Sequence, residues 1–197
     1  MSYRNAQSIA KLIEDDAISI NPYVSDFQGP NMYYCHLGQK VMIPKAGKLA
    51  DTKNLEKDLY DTVMIAEYFD LGPGEFILAE TFETFKTNTA HCIRLFNSSS
   101  LARLGVSQCA VGMINPGCGL DKPIRVTLEL VNNGPFTIRL YPTLETSDKN
   151  GIASLGTEVL KVAVSDYEDT GTAYQDWSGN LYGTDTNVTG SKIDRRL

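Results

Sequence analysis

Three consecutive serines, Ser98, Ser99 and Ser100, are followed one helical turn later by Arg103, and Glu129 sits in a run of alternating polarity further on. Hydroxyls and free backbone amides at the start of a helical turn form an anion cradle that needs no net positive charge. An arginine one turn on can pair with a carboxylate or a ligand oxygen. A carboxylate on a strand is suited to moving protons when burial lifts its pKa. Read alone, SSSLARLG is also a plain capped turn, with a serine as N-cap and Gly105 as its left-handed terminator. A lone strand glutamate is equally an ordinary solvated side chain.

The elements that must position these groups are mostly strands. Ile124 to Leu130 alternates Ile, Val, Leu and Leu with Arg125, Thr127 and Glu129, so one face is core and the other carries charge. From Thr62 to Leu140 the chain runs in short segments rich in Val, Ile, Thr, Phe and Tyr, broken by GPGE, NSSS, NPGCG and NNGP, which predicts an all-β barrel or sandwich. Strands are also predicted at Tyr33–Leu37, Val41–Ile43 and Glu158–Val164, the last preceded by the polar insertion ETSDKNGIAS. Ile9, Leu12 and Ile13 predict an opening helix over Ala6–Glu14, and a second helix is expected around Lys53–Tyr60, capped by Asp51 or Thr52.

Length and charge narrow the function. The 197 residues suit one core, expected over 1–169, followed by a tail over 170–197 dominated by Gly, Ser, Thr, Asn and Asp. That tail reads either as disordered or, because it carries Tyr174, Trp177 and Tyr182, as a flap that orders over a ligand or a neighbouring subunit. A net charge of −6 argues against a nucleic-acid polymer or an anionic membrane as partner. The longest apolar runs fall short of a membrane span. Cys35, Cys92, Cys109 and Cys118 lack a Cys-x-x-Cys pairing and the N-terminus lacks an apolar signal core, which predicts reduced thiols in a cytoplasmic protein. The Asn-x-Ser/Thr triplets at Asn97 and Asn187 then carry no glycosylation meaning.

Three segments, SSSLARLG, Asn115-Pro116-Gly117 and LELVNNG, together resemble the dCTP deaminase branch of the trimeric dUTPase-like superfamily, whose members carry Arg-Ser-Ser-x-Ala-Arg-x-Gly, Asp-Pro-Gly and Leu-Glu-x-x-Asn-x-Gly. The resemblance extends upstream to SINPYVSDFQGPNMYYCHLG and downstream to the Tyr, Gly and final Ser-x-Ile of the tail. It implies a mainly β, distorted β-barrel or jelly-roll-like dUTPase-type fold with a short N-terminal helix and few other helical turns. It further implies a homotrimer with sites at subunit interfaces, a deoxynucleoside triphosphate as substrate, and hydrolytic, zinc-independent removal of the 4-amino group of dCTP. Neither His-x-Glu nor Pro-Cys-x-x-Cys, the zinc-deaminase signature, occurs, and His36 and His91 are the only histidines. Mg2+ is expected to arrive with the triphosphate, with no metal ligands from the protein.

By the same resemblance Glu129 is the general base, Arg103 orients it or the water, and Ser99 positions the water or a phosphate. Ser98, Ser100, Asn115, Gly117, Tyr174 and Tyr182 complete the expected nucleotide-binding set. Several positions depart from the family pattern. Ser98 replaces an arginine, Tyr34 an aspartate, Asn115 the aspartate of Asp-Pro-Gly, and Asn180-Leu181 the Gly-Lys before Tyr182. Asn115 cannot act as a base, which ranks dUTPase activity below deamination. The lost cationic donors leave open a repurposed trimeric homologue that binds or regulates without turnover.

Overall fold

The computed structural model describes residues 2–145 and 152–196. Helix α1 (Ala6–Glu14) and strand β1 (Ile18–Asn21) are followed by β2 (Tyr33–Pro44), β3 (Tyr60–Met64), β4 (Phe69–Leu71), β5 (Phe76–Thr87) and β6 (His91–Asn97). Helix α2 (Ser99–Arg103) then leads to β7 (Val106–Gln108), β8 (Met113–Ile114), β9 (Ile124–Asn132), β10 (Ile138–Leu140), β11 (Leu144–Glu145), β12 (Ile152–Ser154) and β13 (Glu158–Asp166). Nine of these strands form one strongly curled antiparallel sheet, a half-barrel ordered β7-β9-β5-β2-β13-β6-β8, with β1 added to β5 and β3 to β2. The fold is mainly β with two helices, as expected from the sequence.

The alternation predicted for Ile124–Leu130 is what sets the sheet's inner face. Ile124, Val126, Leu128 and Leu130 are buried, and Leu128 is wholly inaccessible, packed in the same core as Phe85, Leu37 and Ile77. The intervening Arg125, Thr127 and Glu129 are half-buried on the other face. Helix α1 forms as predicted, with the Asn5 side chain accepting from the Ser8 N–H at 2.9 Å and Ile9 inserted into the core.

Tyr33–Leu37 and Val41–Ile43 are parts of one long strand, β2, whose pairing with β5 shifts register between Leu37 and Val41. Gly38 lies at that irregularity, where a Cβ would stand 2.9 Å from the Glu80 side chain, so only glycine lets the two strands approach. A second register shift, between Glu80 and Thr84 on β5, disturbs the ladder with β9. There the Arg125 guanidinium donates to the carbonyls of Thr81, at 2.7 Å, and Phe82. Buried backbone acceptors need such partners, so this cation has a structural task.

The helix expected around Lys53–Tyr60 does not form. The segment is a chain of turns closing the hairpin between β2 and β3. Asp51 accepts from the Lys53 N–H at 2.9 Å, an Asx turn in place of a helix cap, while Lys45, just after β2, pairs with Asp58 and Asp61. The segment is largely exposed and lacks an apolar stripe to dock on the core, which is what a short helix needs in order to persist. The polar insertion expected before β13 falls mostly on residues 146–151, outside the described residues.

Candidate active site

Helix α2 is the helical turn anticipated from SSSLARLG. Ser98 is its N-cap: the buried hydroxyl accepts from the Leu101 N–H at 3.5 Å and donates to Glu158 Oε1 at 3.0 Å. Leu101 anchors the turn in the core, and Gly105 ends it with φ +96°, so close to Gly134 that a Cβ would lie 2.4 Å from it. Ser99, Ser100 and Arg103 point outward and are exposed. Ser99 Oγ accepts from Lys161 Nζ at 3.2 Å. Among the described residues Arg103 forms no ion pair.

Glu129 lies elsewhere, in a cavity of about 480 Å³ bounded by β9, β8, the start of β5 and the tail. Arg125 and Thr127 line it from the same face of β9, Asn115 from the Asn-Pro-Gly turn, and Tyr174, Tyr182 and Asp185 from the tail. Burial pushes the Glu129 carboxyl above the ordinary carboxylate range, opposed by hydrogen bonds from its own backbone and from the Gln108 side chain. Its Oε2 is enclosed and has no hydrogen-bond partner. A carboxylate in this condition takes up a proton more readily than one in water, which suits a group that must accept one and pass it on.

The tail is held along the cavity by its backbone. Tyr174 N–H donates to the Pro116 carbonyl at 3.0 Å, Gln175 N–H to Gly117 at 3.1 Å, and Val188 N–H to the buried carboxylate of Glu80 at 2.8 Å. Gly119 and Arg125 donate in return to the carbonyls of Gly183 and Asp185, at 3.2 and 3.1 Å. Lys192 then pairs with Asp185 at 2.6 Å and lies 5.0 Å from the Tyr182 ring centroid. These contacts hold the described tail residues against their own chain, along the cavity.

The expected residues thus divide. Glu129, Asn115, Tyr174 and Tyr182 share the cavity, whereas Ser98, Ser99, Ser100 and Arg103 are not among its lining residues. Gly117 does not line it either. With φ +77° and Ala173 where a Cβ would be, at 2.4 Å, Gly117 fixes the tail's entry and so the place of Tyr174. Arg125 and Thr127 went unrecognised in the sequence although their period-two spacing with Glu129 put them on one face. Asp185 left no such signal, because the tail's path is a tertiary feature. Among the described residues no three His, Cys, Asp or Glu side chains converge as a metal site.

Residues 3–145 match the family model described as dCTP deaminase-like. The chain is 28% identical over 189 residues to a protein of Nanoarchaeum equitans called dCTP deaminase, dUMP-forming, covering 86% of this chain and 90% of that one. It is 32% identical over 146 residues to a protein of the same description from Dictyoglomus turgidum, covering 69% and 72%. A crystal structure of 2'-deoxycytidine 5'-triphosphate deaminase from Agrobacterium tumefaciens shares the fold with a TM-score of 0.56 at 14% identity. The match covers 82% of this chain and 47% of that one, so the chain spans about half the length of that structure.

Proposed function

This chain belongs to the dCTP deaminase-like family, and we propose that it hydrolyses the 4-amino group of dCTP, or of a closely related pyrimidine deoxynucleoside triphosphate, to give dUTP and ammonia. The observation that carries the proposal is Glu129: a half-buried carboxyl with a raised pKa and an unpartnered oxygen, in a cavity lined by aromatic and polar side chains. Glu129 takes a proton from water as the oxygen attacks C4 of the ring. One water proton ends on ring N3 and the other on the departing ammonia, so the carboxylate finishes as it began.

The serine turn completes the site from a neighbouring copy. Ser99, Ser100 and Arg103 are exposed and outside the cavity of their own chain, which is the arrangement needed if they meet a second chain's Glu129 in a homotrimer. Ser99 and Arg103 then face the reacting water and the phosphates, while Ser98 serves as the cap that holds the turn in shape. The Mg2+ that accompanies a nucleoside triphosphate neutralises phosphate charge when bound. Its ligands would be phosphate oxygens and water, since Asp185, which lines the cavity beside Glu129, is already paired with Lys192.

A second reading, deamination coupled to loss of diphosphate, is favoured by the description of two relatives and opposed by one substitution in this chain. Two relatives carry the description dUMP-forming, which couples deamination to loss of diphosphate, yet the Asn115 amide cannot serve as the base for that second step. Deamination without diphosphate release is therefore placed first. Anion-exchange chromatography of dCTP and dUTP, each incubated separately with the protein and Mg2+, tests both. Conversion of dCTP to dUTP supports deamination, further conversion to dUMP supports the coupled reaction, and turnover of neither points to a repurposed pocket.

A further inference from the structure

Strand β9 presents three side chains to the cavity, Arg125, Thr127 and Glu129, spaced by two so that they share the face turned away from the core. Across the ladder on β5, Leu78 stands opposite Glu129 and Glu80 opposite Thr127. Arg125 is committed to the carbonyls of Thr81 and Phe82, and Glu129 is the carboxyl assigned to the proton. Thr127 is the member of this row without a task. Its Oγ1 accepts from the backbone N–H of Thr189 in the tail at 3.3 Å. Among the described residues its hydroxyl donates to no protein acceptor.

A threonine hydroxyl carries one hydrogen and two acceptor lone pairs. With the Thr189 N–H on one lone pair, the hydrogen is turned away from the tail's backbone and is left for whatever occupies the cavity. Thr127 is half-buried on the cavity wall, where a donor without an acceptor marks a place for an incoming oxygen.

We propose that Thr127 is a specificity-determining residue that donates to the 2-oxo oxygen of the bound pyrimidine, a contact that rests on the pyrimidine-nucleotide reading of the cavity. Two residues along a strand span about 6.5 Å. That length suits a ring held at one end through the water between Glu129 and C4, and at the other by a direct bond of about 2.8 Å from the Thr127 hydroxyl to O2. As the water oxygen bonds to C4, the C4–N3 π electrons move onto N3 and are shared with O2 until N3 takes its proton. A donor at O2 stabilises that charge, so Thr127 both raises the rate and selects bases with an oxygen at C2. The hydroxyl keeps this aim only while Thr189 lies against it, which makes base reading depend on the tail.

Thr127→Val keeps the side-chain shape and removes the hydroxyl, but it also leaves the Thr189 N–H unpaired. The test therefore compares dCTP with 2-thio-dCTP, whose sulfur is a weaker acceptor. A loosened tail weakens both nucleotides alike, whereas loss of a bond to O2 weakens dCTP alone. The ratio of kcat/KM for ammonia release, dCTP over 2-thio-dCTP, is expected to fall about tenfold from wild type to Thr127→Val and to persist in Thr127→Ser. The same ratio in wild type and Thr127→Val overturns the proposal. If that variant does not fold, Thr127→Ala is read in its place by the same criterion. Titration calorimetry of both nucleotides in Glu129→Gln, with and without Thr127→Val, gives the matching ratio of Kd values. In a protein that releases no ammonia, a binding ratio that falls with Thr127→Val supports the contact and counts against the deaminase reading alone. An unchanged binding ratio overturns the contact, and failure to bind either nucleotide overturns both.

Discussion

The carboxylate of Glu80, 5% exposed on β5, accepts a hydrogen bond from the backbone N–H of Val188 in the tail, 108 residues later, at 2.8 Å. This one contact ties the cover of the cavity to the strand that forms its floor. The acceptor is a side-chain carboxyl oxygen enclosed by the fold, so the bond is sheltered from competing water.

Glu80→Ala is expected to loosen residues 183–191 without unfolding the sheet. Limited proteolysis should cut the tail of the variant sooner than that of wild type, and KM for dCTP should rise about tenfold, the scale of one hydrogen bond to a charged group. Equal cleavage rates would show that the remaining tail contacts suffice.

Glu129→Gln should abolish ammonia release, with a loss of at least ~10³-fold, while light scattering shows the assembly unchanged. Release at the wild-type rate would remove Glu129 from its assigned role.

The same substitution carries a stability prediction. The folded Glu129 carboxyl titrates above the ordinary carboxylate range, because burial disfavours its charge. Above the unfolded-state pKa the unfolded chain is therefore the better home for the ionised group, and the native state is destabilised by this residue. Below that pKa both states are protonated and the penalty is gone. Glu129→Gln should thus raise Tm at pH 7, and the difference from wild type should shrink to nothing as pH falls through the carboxylate range. Scanning calorimetry at several pH values checks the trend.

Gly117→Ala places a methyl group on Ala173 and forces a left-handed backbone onto a residue with a Cβ. A loss of about 1–3 kcal/mol, or release of the tail in its stead, is expected. Denaturant unfolding separates the two, since a released tail leaves the midpoint of the sheet near its original value.

Ser98→Ala removes both the cap of α2 and the hydroxyl bound to Glu158, and should cost about 1–2 kcal/mol. Restoring the cap with Ser98→Asp should not recover full stability, because the new carboxylate faces Glu158 and cannot donate to it. Chemical unfolding of the two variants checks this.

Much of the sheet was legible in the chain because it depends on local alternation. Ile124 to Leu130 announces both its strand and the face that carries Glu129, and SSSLARLG announces a turn with Gly105 at its end. The false helix at Lys53–Tyr60 arose where propensity was the only signal: Asp51 is as good a residue for an Asx turn as for a cap, and the pairing of β2 with β3 decided between them. The merging of two predicted strands into β2 likewise depends on Gly38 fitting beside Glu80, a contact between distant segments. In the cavity, Tyr174 and Tyr182 stood out as aromatics in a Gly-rich tail. Asp185 did not, since a paired acid has no distinctive neighbours along the chain.

Of the four cysteines, Cys35, Cys92 and Cys118 are buried and Cys109 is exposed, and all four are unbridged. Cys109 is also the residue whose N–H binds the Glu129 carbonyl. A thiol-selective fluorophore therefore has one accessible point of attachment among the described residues, one ladder step from Glu129. The native chain comes with its own labelling handle, through which a change of emission could follow nucleotide arrival in real time without an engineered cysteine.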